Sequence, residues 1–286
     1  VNDGNRIQSY RLNVEELIAA CRAAPDDDAP RLVWADAIGG ERGELVVLQC
    51  MPPTPARIAR VTELLAARGA AWANLSGLAK RCTFRRGFVE AVEVELADCV
   101  ARADEIAARA PLLESLGLAC PQCTRWEDDQ FDGPDTVGLV KSVLQHPALA
   151  HVRGFVFDKA QLTICPDRES AYQSGYGDEI VELAVELGRL QQLRSLGFVD
   201  CRLGRRGVDA IGRGTCLEEL VLGEGFGDWD WQDPNPPPIT WPADALPNLR
   251  TLYVRAIDDA TRTRLRPAIE IVVGAPPPEP GVVDLS

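Results

Sequence analysis

Cys120-Pro121-Gln122-Cys123 is the spacing in this chain best suited to chemistry. Two thiols separated by two residues can share a zinc ion or exchange with a disulfide. Zinc would need two more ligands, and the nearby candidates, His146, His151 and Cys165, have no paired spacing. Redox exchange would place the pair at a helix start in a thioredoxin-like βαβ unit, and that context is absent. Cys123 therefore reads as the bend residue of a structural repeat, and no metal or other cofactor is expected. Asp26-Asp27-Asp28, with Asp36, invites a divalent cation. Consecutive carboxylates on a turn point apart, however, and Ca²⁺ loops place their ligands at alternate positions. Capping of the next helix by Asp28 and pairing with Arg31 is the plainer expectation. Lys80, Arg81, Arg85 and Arg86 are clustered with a single stacking aromatic, Phe84, so ion pairing is expected rather than phosphate binding. The chain has two histidines, no nucleophile elbow, no phosphate-binding glycine loop and no dinucleotide fingerprint. No catalytic residue is nominated, although a carboxylate-only site stays open.

The totals narrow the classes further. The 286 residues are 46% hydrophobic and 26% charged, enough for a sizeable core in one or two domains. No run approaches the roughly 18 apolar residues of a membrane span. Asn2, Asp3, Asn5 and Arg6 show no apolar secretory core, and nine cysteines without an even framework read as reduced thiols in the cytoplasm. Residues 1–110 carry 14 basic and 16 acidic side chains, whereas residues 111–286 carry 16 and 27. That acidic second part argues against nucleic acid, whose phosphates demand Lys and Arg.

The elements that would hold any site follow a recurring pattern. Leu193-x-x-Leu196-x-Phe198-x-x-Cys201-x-Leu203 alternates as one buried strand face, bends at Cys201 and runs into a helical spacing at Gly207 and Ile211. The same triplet recurs at Val89/Val92/Val94, Leu113/Leu116/Leu118, Val152/Phe155/Phe157, Leu217/Leu220/Leu222 and Leu249/Leu252/Val254. Six candidate coils result, two of their spacings being 24 residues and the others longer. The pattern resembles leucine-rich repeats of the ribonuclease-inhibitor-like kind, with Cys at the bend. That resemblance implies an α/β fold: an irregular leucine-rich-repeat solenoid of parallel strands. An ordinary α/β domain with crossover helices is the competing expectation.

Upstream, the spacing predicts helices from Val14 to Cys21 and Ala29 to Asp36, a short one at Glu44–Gln49, one from Pro55 ending at Gly69, and a last piece at about Ala70–Leu78. The run Pro25-Asp26-Asp27-Asp28-Ala29-Pro30-Arg31-Leu32-Val33-Trp34-Ala35-Asp36, followed by Arg42-Gly43-Glu44-Leu45-Val46-Val47-Leu48-Gln49, resembles the bacterial repeat-companion domain. That family precedes leucine-rich repeats and implies a helical cap on the array. Trp34 stands where the family has Tyr, and Ala37-Ile38 replaces Trp-Leu. The expected organisation is a helical cap over 1–82, a solenoid over 83–274 and a flexible Pro-rich tail over 275–286.

Between the last two inward positions of each coil stands one outward residue: Glu93, Gly117, Val156, Gly197, Val221 and Tyr253 in turn. The next outward column includes Val199 and Arg255. A face so small and apolar in its middle coils would let another backbone approach, and it is expected to be the partner-binding surface. Residues 224–241 add a proline-bounded loop in which Trp229 and Trp231 would clamp a partner or fold back as a lid. The expected function is non-catalytic recognition of a protein or peptide, with self-pairing of the solenoid left open. Two other readings stand beside it. One is an acidic immunity or inhibitor protein masking a basic enzyme surface; the other is an accessory enzyme with a carboxylate or Cys–metal site.

Overall fold

The computed structural model describes residues 14–120, 135–158, 177–199, 201, 203–222, 241–242, 244–254, 257, 259–273 and 281–285. Four helices come first: α1 (Val14–Ala23), α2 (Ala29–Ile38), α3 (Gly40–Cys50) and α4 (Pro55–Ala73). Pro30 lies in the first turn of α2, where its missing N–H costs nothing. Asp28 occupies the position before α2 but caps nothing with its side chain; the carboxylate of Asp27 accepts from the Ala29 N–H at 2.9 Å instead. α3 begins four residues before the expected Glu44, because Gly39 and Gly40, at φ 60° and 61°, turn the chain straight out of α2. α4 is one helix, not two. Gly69 does not end it; a Cβ there would meet Val283 at 2.6 Å, so this glycine serves close packing. The helix stops at Asn74, which takes the left-handed conformation.

The sheet opens with a hairpin, β1 (Arg81–Arg85) and β2 (Phe88–Glu95), turned by Arg86 and Gly87 at φ 47° and 81°. Two successive positive φ values match the twist of the flanking strands. Then follow α5 (Leu96–Arg109), β3 (Ser115–Ala119), α6 (Thr136–Gln145), β4 (Gly154–Asp158), α7 (Asp178–Glu186), β5 (Ser195–Val199), α8 (Arg205–Ile211), β6 (Glu219–Leu222), β7 (Thr251–Val254), α9 (Asp259–Arg264) and β8 (Glu270–Val273). The last strand, β9 (Val282–Asp284), lies in what was expected to be a flexible tail, where it pairs antiparallel with β1. The result is a mixed α/β fold with one nine-stranded sheet, ordered β8-β7-β6-β5-β4-β3-β2-β1-β9. From β2 to β8 every neighbouring pair is parallel and consecutive in the chain.

Register in that ladder is unbroken. Val92, Leu116, Phe155, Leu196, Leu220, Leu252 and Ile271 form one cross-strand row; Val94, Leu118, Phe157, Phe198, Leu222, Val254 and Val273 form the next. The last two positions of all six triplets therefore sit in equivalent places, and β8 adds a seventh. A one-residue slip would turn both rows out of the core, so burial holds the register. Leu96, Cys99, Ala103 and Ile106 of α5 bury against these rows, as do Val140 and Val143 of α6, Ile180 and Val181 of α7, and Val208 and Ile211 of α8. Each fully buried Leu or Phe contributes on the order of 1.5–3 kcal/mol.

Covalent connection also bends the sheet. Eight steps of about 4.8 Å separate β8 from β9, or about 38 Å if the sheet were straight. Val273 and Gly281 are eight residues apart, which the chain can span by at most about 29 Å. The two ends must therefore approach each other. Helices packed on one face, each wider than a strand, make the other face the concave one.

An arginine recurs behind the strands. Arg189 donates to the carbonyls of Ala150 and Val152 in the preceding turn, and Arg266 does the same for Leu246 and Leu249. Arg109 reaches Asn74 O at 2.8 Å in the same manner. The Ala150, Val152, Leu249 and Asn74 carbonyls thereby gain a donor, while the Leu246 carbonyl also accepts from the Leu249 N–H at 3.1 Å.

Candidate binding surface

The face opposite the helices carries three outward rows. Ala91, Ser115, Gly154, Ser195, Glu219, Thr251 and Glu270 form the first; Glu93, Gly117, Val156, Gly197, Val221, Tyr253 and Val272 the second; Glu95, Ala119, Asp158 and Val199 the third. Over β9 and β1–β5 these residues floor a concavity of about 850 Å³. Glu93, Gly117, Val156 and Val199, all nominated from sequence, line it together. The nearest atoms to a Cβ on Gly117 would be those of Glu93 at 3.6 Å, an ordinary contact, so a side chain is accommodated there.

Two nominated positions differ from expectation. Gly197 and Val221 are buried. A Cβ on Gly197 would sit 3.1 Å from Val156 and 3.3 Å from Val221, whose side chains close over the glycine from both sides. The face is thus not a uniform groove; it is open over its first strands and filled at β5–β6. Tyr253 is half-buried on β7, beyond the concavity. Arg255, Trp229 and Trp231 lie outside the described residues.

Sequence reasoning missed one wall altogether. Lys80, Arg81, Cys82 and Thr83 of the β1 edge and Val282 of β9 line the concavity. The signal was present in Arg86-Gly87, a dipeptide able to take two positive φ values after the β-favouring run Cys82-Thr83-Phe84. Lys80 pairs with Glu95, and Arg81 with Glu93 at 3.5 Å. The Glu95 pairing holds the Lys80 ammonium above its usual range. Half of the basic cluster is thereby committed to ion pairs across the hairpin.

Arg86 of the same cluster helps to lock the helical region to the sheet. Glu90 is buried and receives Arg31 Nη2 at 3.2 Å and Arg86 Nη2 at 3.1 Å. Burial raises the Glu90 carboxyl above its ordinary range, against the pull of Arg86. The expected Asp–Arg31 carboxylate pairing is replaced by this one: Arg31 lies on the buried side of α2, and its other contact is the Asp27 carbonyl. Asp26 instead reaches Arg194, next to β5, at 3.3 Å, and the arginine holds its carboxyl low. Hydrophobic contact joins the same surfaces, with Trp34 and Phe88 at 4.5 Å between ring centroids.

Cys120 is buried at the end of β3. Burial, then Asp158 and Glu95, push the Cys120 thiol up to about 12, so it stays protonated near neutral pH. Cys123 lies outside the described residues. Cys201, expected at a bend, is buried, and its Sγ sits 3.2 Å from the Val199 carbonyl and 3.3 Å from that of Phe157. The His151 imidazole is kept low by burial first and then by Arg22 and Arg189. Among the described residues no group of three or more His, Cys, Asp or Glu side chains is gathered as a metal would require. No helix among them is long and apolar enough to cross a membrane. Compared with family models, curated proteins and solved structures, the chain gives no match.

Proposed function

We propose that this chain is a leucine-rich-repeat-type solenoid with a helical repeat-companion cap, and that it acts in the cytoplasm as a non-catalytic scaffold holding a protein or peptide segment on its concave face. The observation that carries the reading is the concavity over β9 and β1–β5, floored by small side chains at Gly117 and Ala119 and flanked by Glu93, Val156, Asp158 and Val199. Small floor residues let a partner backbone come close, while the surrounding carboxylates and apolar groups give it something to recognise. Seven parallel strands in one register, the recurring arginine behind them and the enforced curvature support the solenoid. The described cysteines are all free thiols, in keeping with a reducing compartment.

Substitution at the floor tests the reading. Gly117→Phe fills the concavity without touching the inward rows, since residue 117 has ordinary strand geometry, lines the concavity and gives a Cβ only ordinary contact with Glu93 at 3.6 Å. A partner captured from native lysate by wild type, and lost with a Gly117→Phe protein of unchanged circular dichroism, is the expected result. Equal capture by both proteins contradicts the proposal.

A further inference from the structure

The helical region holds a second cleft, away from the concave face. The end of α3, the link at Met51–Pro53, the first turns of α4 and the β1–β2 turn line about 440 Å³, within the range of small-molecule sites. Its apolar wall is Leu48, Met51, Pro53, Ile58, Val61 and Phe84. Met51 and Ile58 are 42% and 47% exposed, so two large apolar side chains face solvent on one cleft instead of being scattered.

One cation at this cleft is held and unspent. Arg57 Nη1 donates to the Pro52 carbonyl at 2.7 Å, which positions the guanidinium, yet among the described residues no carboxylate meets it. The other arginines of α4 are paired: Arg60 with Glu44 at 2.7 Å and Glu63 at 2.8 Å, and Arg68 with Glu41 at 3.2 Å. Deeper in the cleft, the Arg86 charge is answered by Glu90 at 3.1 Å and Glu114 at 3.8 Å. With Arg86 answered in this way, Arg57 brings one positive charge to the cleft that no carboxylate among the described residues meets. A monoanion suits that balance. A dianion would face Glu90 and Glu114, and a cation would leave Arg57 without a partner.

We propose that this cleft binds a small amphipathic monocarboxylate, its apolar body along Met51 and Ile58 and its carboxylate on the free edge of Arg57. A forked guanidinium suits a carboxylate better than a point charge would, and a mostly apolar wall with one oriented ion is the usual division of labour in such sites. The site stands independently of the concave-face reading.

Calorimetric titration of the full chain with submicellar sodium decanoate tests it, with 1-decanol and decylammonium as probes of the head group. The expected result is saturable one-to-one binding of decanoate, weaker binding of decanol by about tenfold or more, and none of decylammonium. Arg57→Gln should weaken decanoate by a similar factor, and Ile58→Glu should abolish it. Both positions are away from the core, so thermal melts of the variants should match wild type. No saturable decanoate binding, decanol binding as tightly as decanoate, or undiminished binding by a folded Arg57→Gln or Ile58→Glu protein would overturn the proposal.

Discussion

The strand ladder and the joint between helices and sheet are built by opposite means. Within the ladder, neighbours are held by rows of equivalent apolar side chains, Val92 through Leu252 and Val94 through Val254. Any one of these contacts resembles the next. At the joint, the chain buries a charge cluster, Arg31–Glu90–Arg86, and adds Asp26–Arg194 outside it. Apolar rows supply strength and a register that tolerates substitution of one aliphatic for another. A buried ion cluster is more demanding, because each member left alone is costly. The ladder is therefore expected to degrade gradually under mutation, whereas the joint fails at single atoms.

The largest effect should come from Glu90→Leu. It leaves Arg31, 1% exposed, as an uncompensated cation and should cost about 3–5 kcal/mol in urea denaturation. Restoring balance with Arg31→Met in the same chain should recover a substantial part of that loss; no recovery would mean that the joint is held by packing alone. In the ladder, Leu196→Ala should cost about 2–5 kcal/mol, set by how well Phe155 and Leu220 close over the gap. Leu196→Met, by contrast, should be tolerated within about 1.5 kcal/mol, and a larger loss would erase the contrast between the two regions.

A polar pin between two of the helices behind the ladder gives a smaller, pH-dependent effect. Asp178 is buried at the start of α7 and accepts from the Gly204 and Gly207 amides at 2.8 and 2.9 Å, tying α7 to the entry of α8. Burial pushes its carboxyl up to about 6. The folded chain thus holds this proton more tightly than the unfolded chain does. Its contribution to stability is full below about 4, where both states are protonated, and is lost as pH rises through about 6. Asp178→Asn keeps an acceptor for the two amides and should flatten that part of the stability profile between pH 4 and 6.5. An unchanged slope would assign the pH dependence elsewhere. The smallest change is expected from Asp26→Asn, since Asp26 is 74% exposed, and such pairs contribute about 0–1 kcal/mol, less at high salt.

What could be read in advance follows the same division. The apolar rows were legible because period-two alternation and the two-residue offset are local, and all six triplets land in register. The joint was not legible: Glu90 lies 59 residues from Arg31 and Arg194 lies 168 from Asp26, and no local pattern links partners so far apart. β9 was hidden by its three-residue length and its place beyond a proline-rich run. On the binding face, alternation identified Glu93, Gly117, Val156 and Val199 as outward neighbours. It said nothing of the Val156 and Val221 side chains closing over Gly197, since that depends on which residues flank the glycine across strands. The cleft beside Arg57 depends on the α3–α4 angle and the hairpin turn, neither of which a helical pattern specifies.

The most direct measurement of the recognition surface is site-specific photocrosslinking in native lysate, with the reactive residue at position 117 on the concave face or at the exposed position 182 of α7 among the helices. A discrete crosslinked partner from position 117 that is absent from position 182 is the expected result. A partner crosslinked from 182 and not from 117, or from both equally, would contradict it.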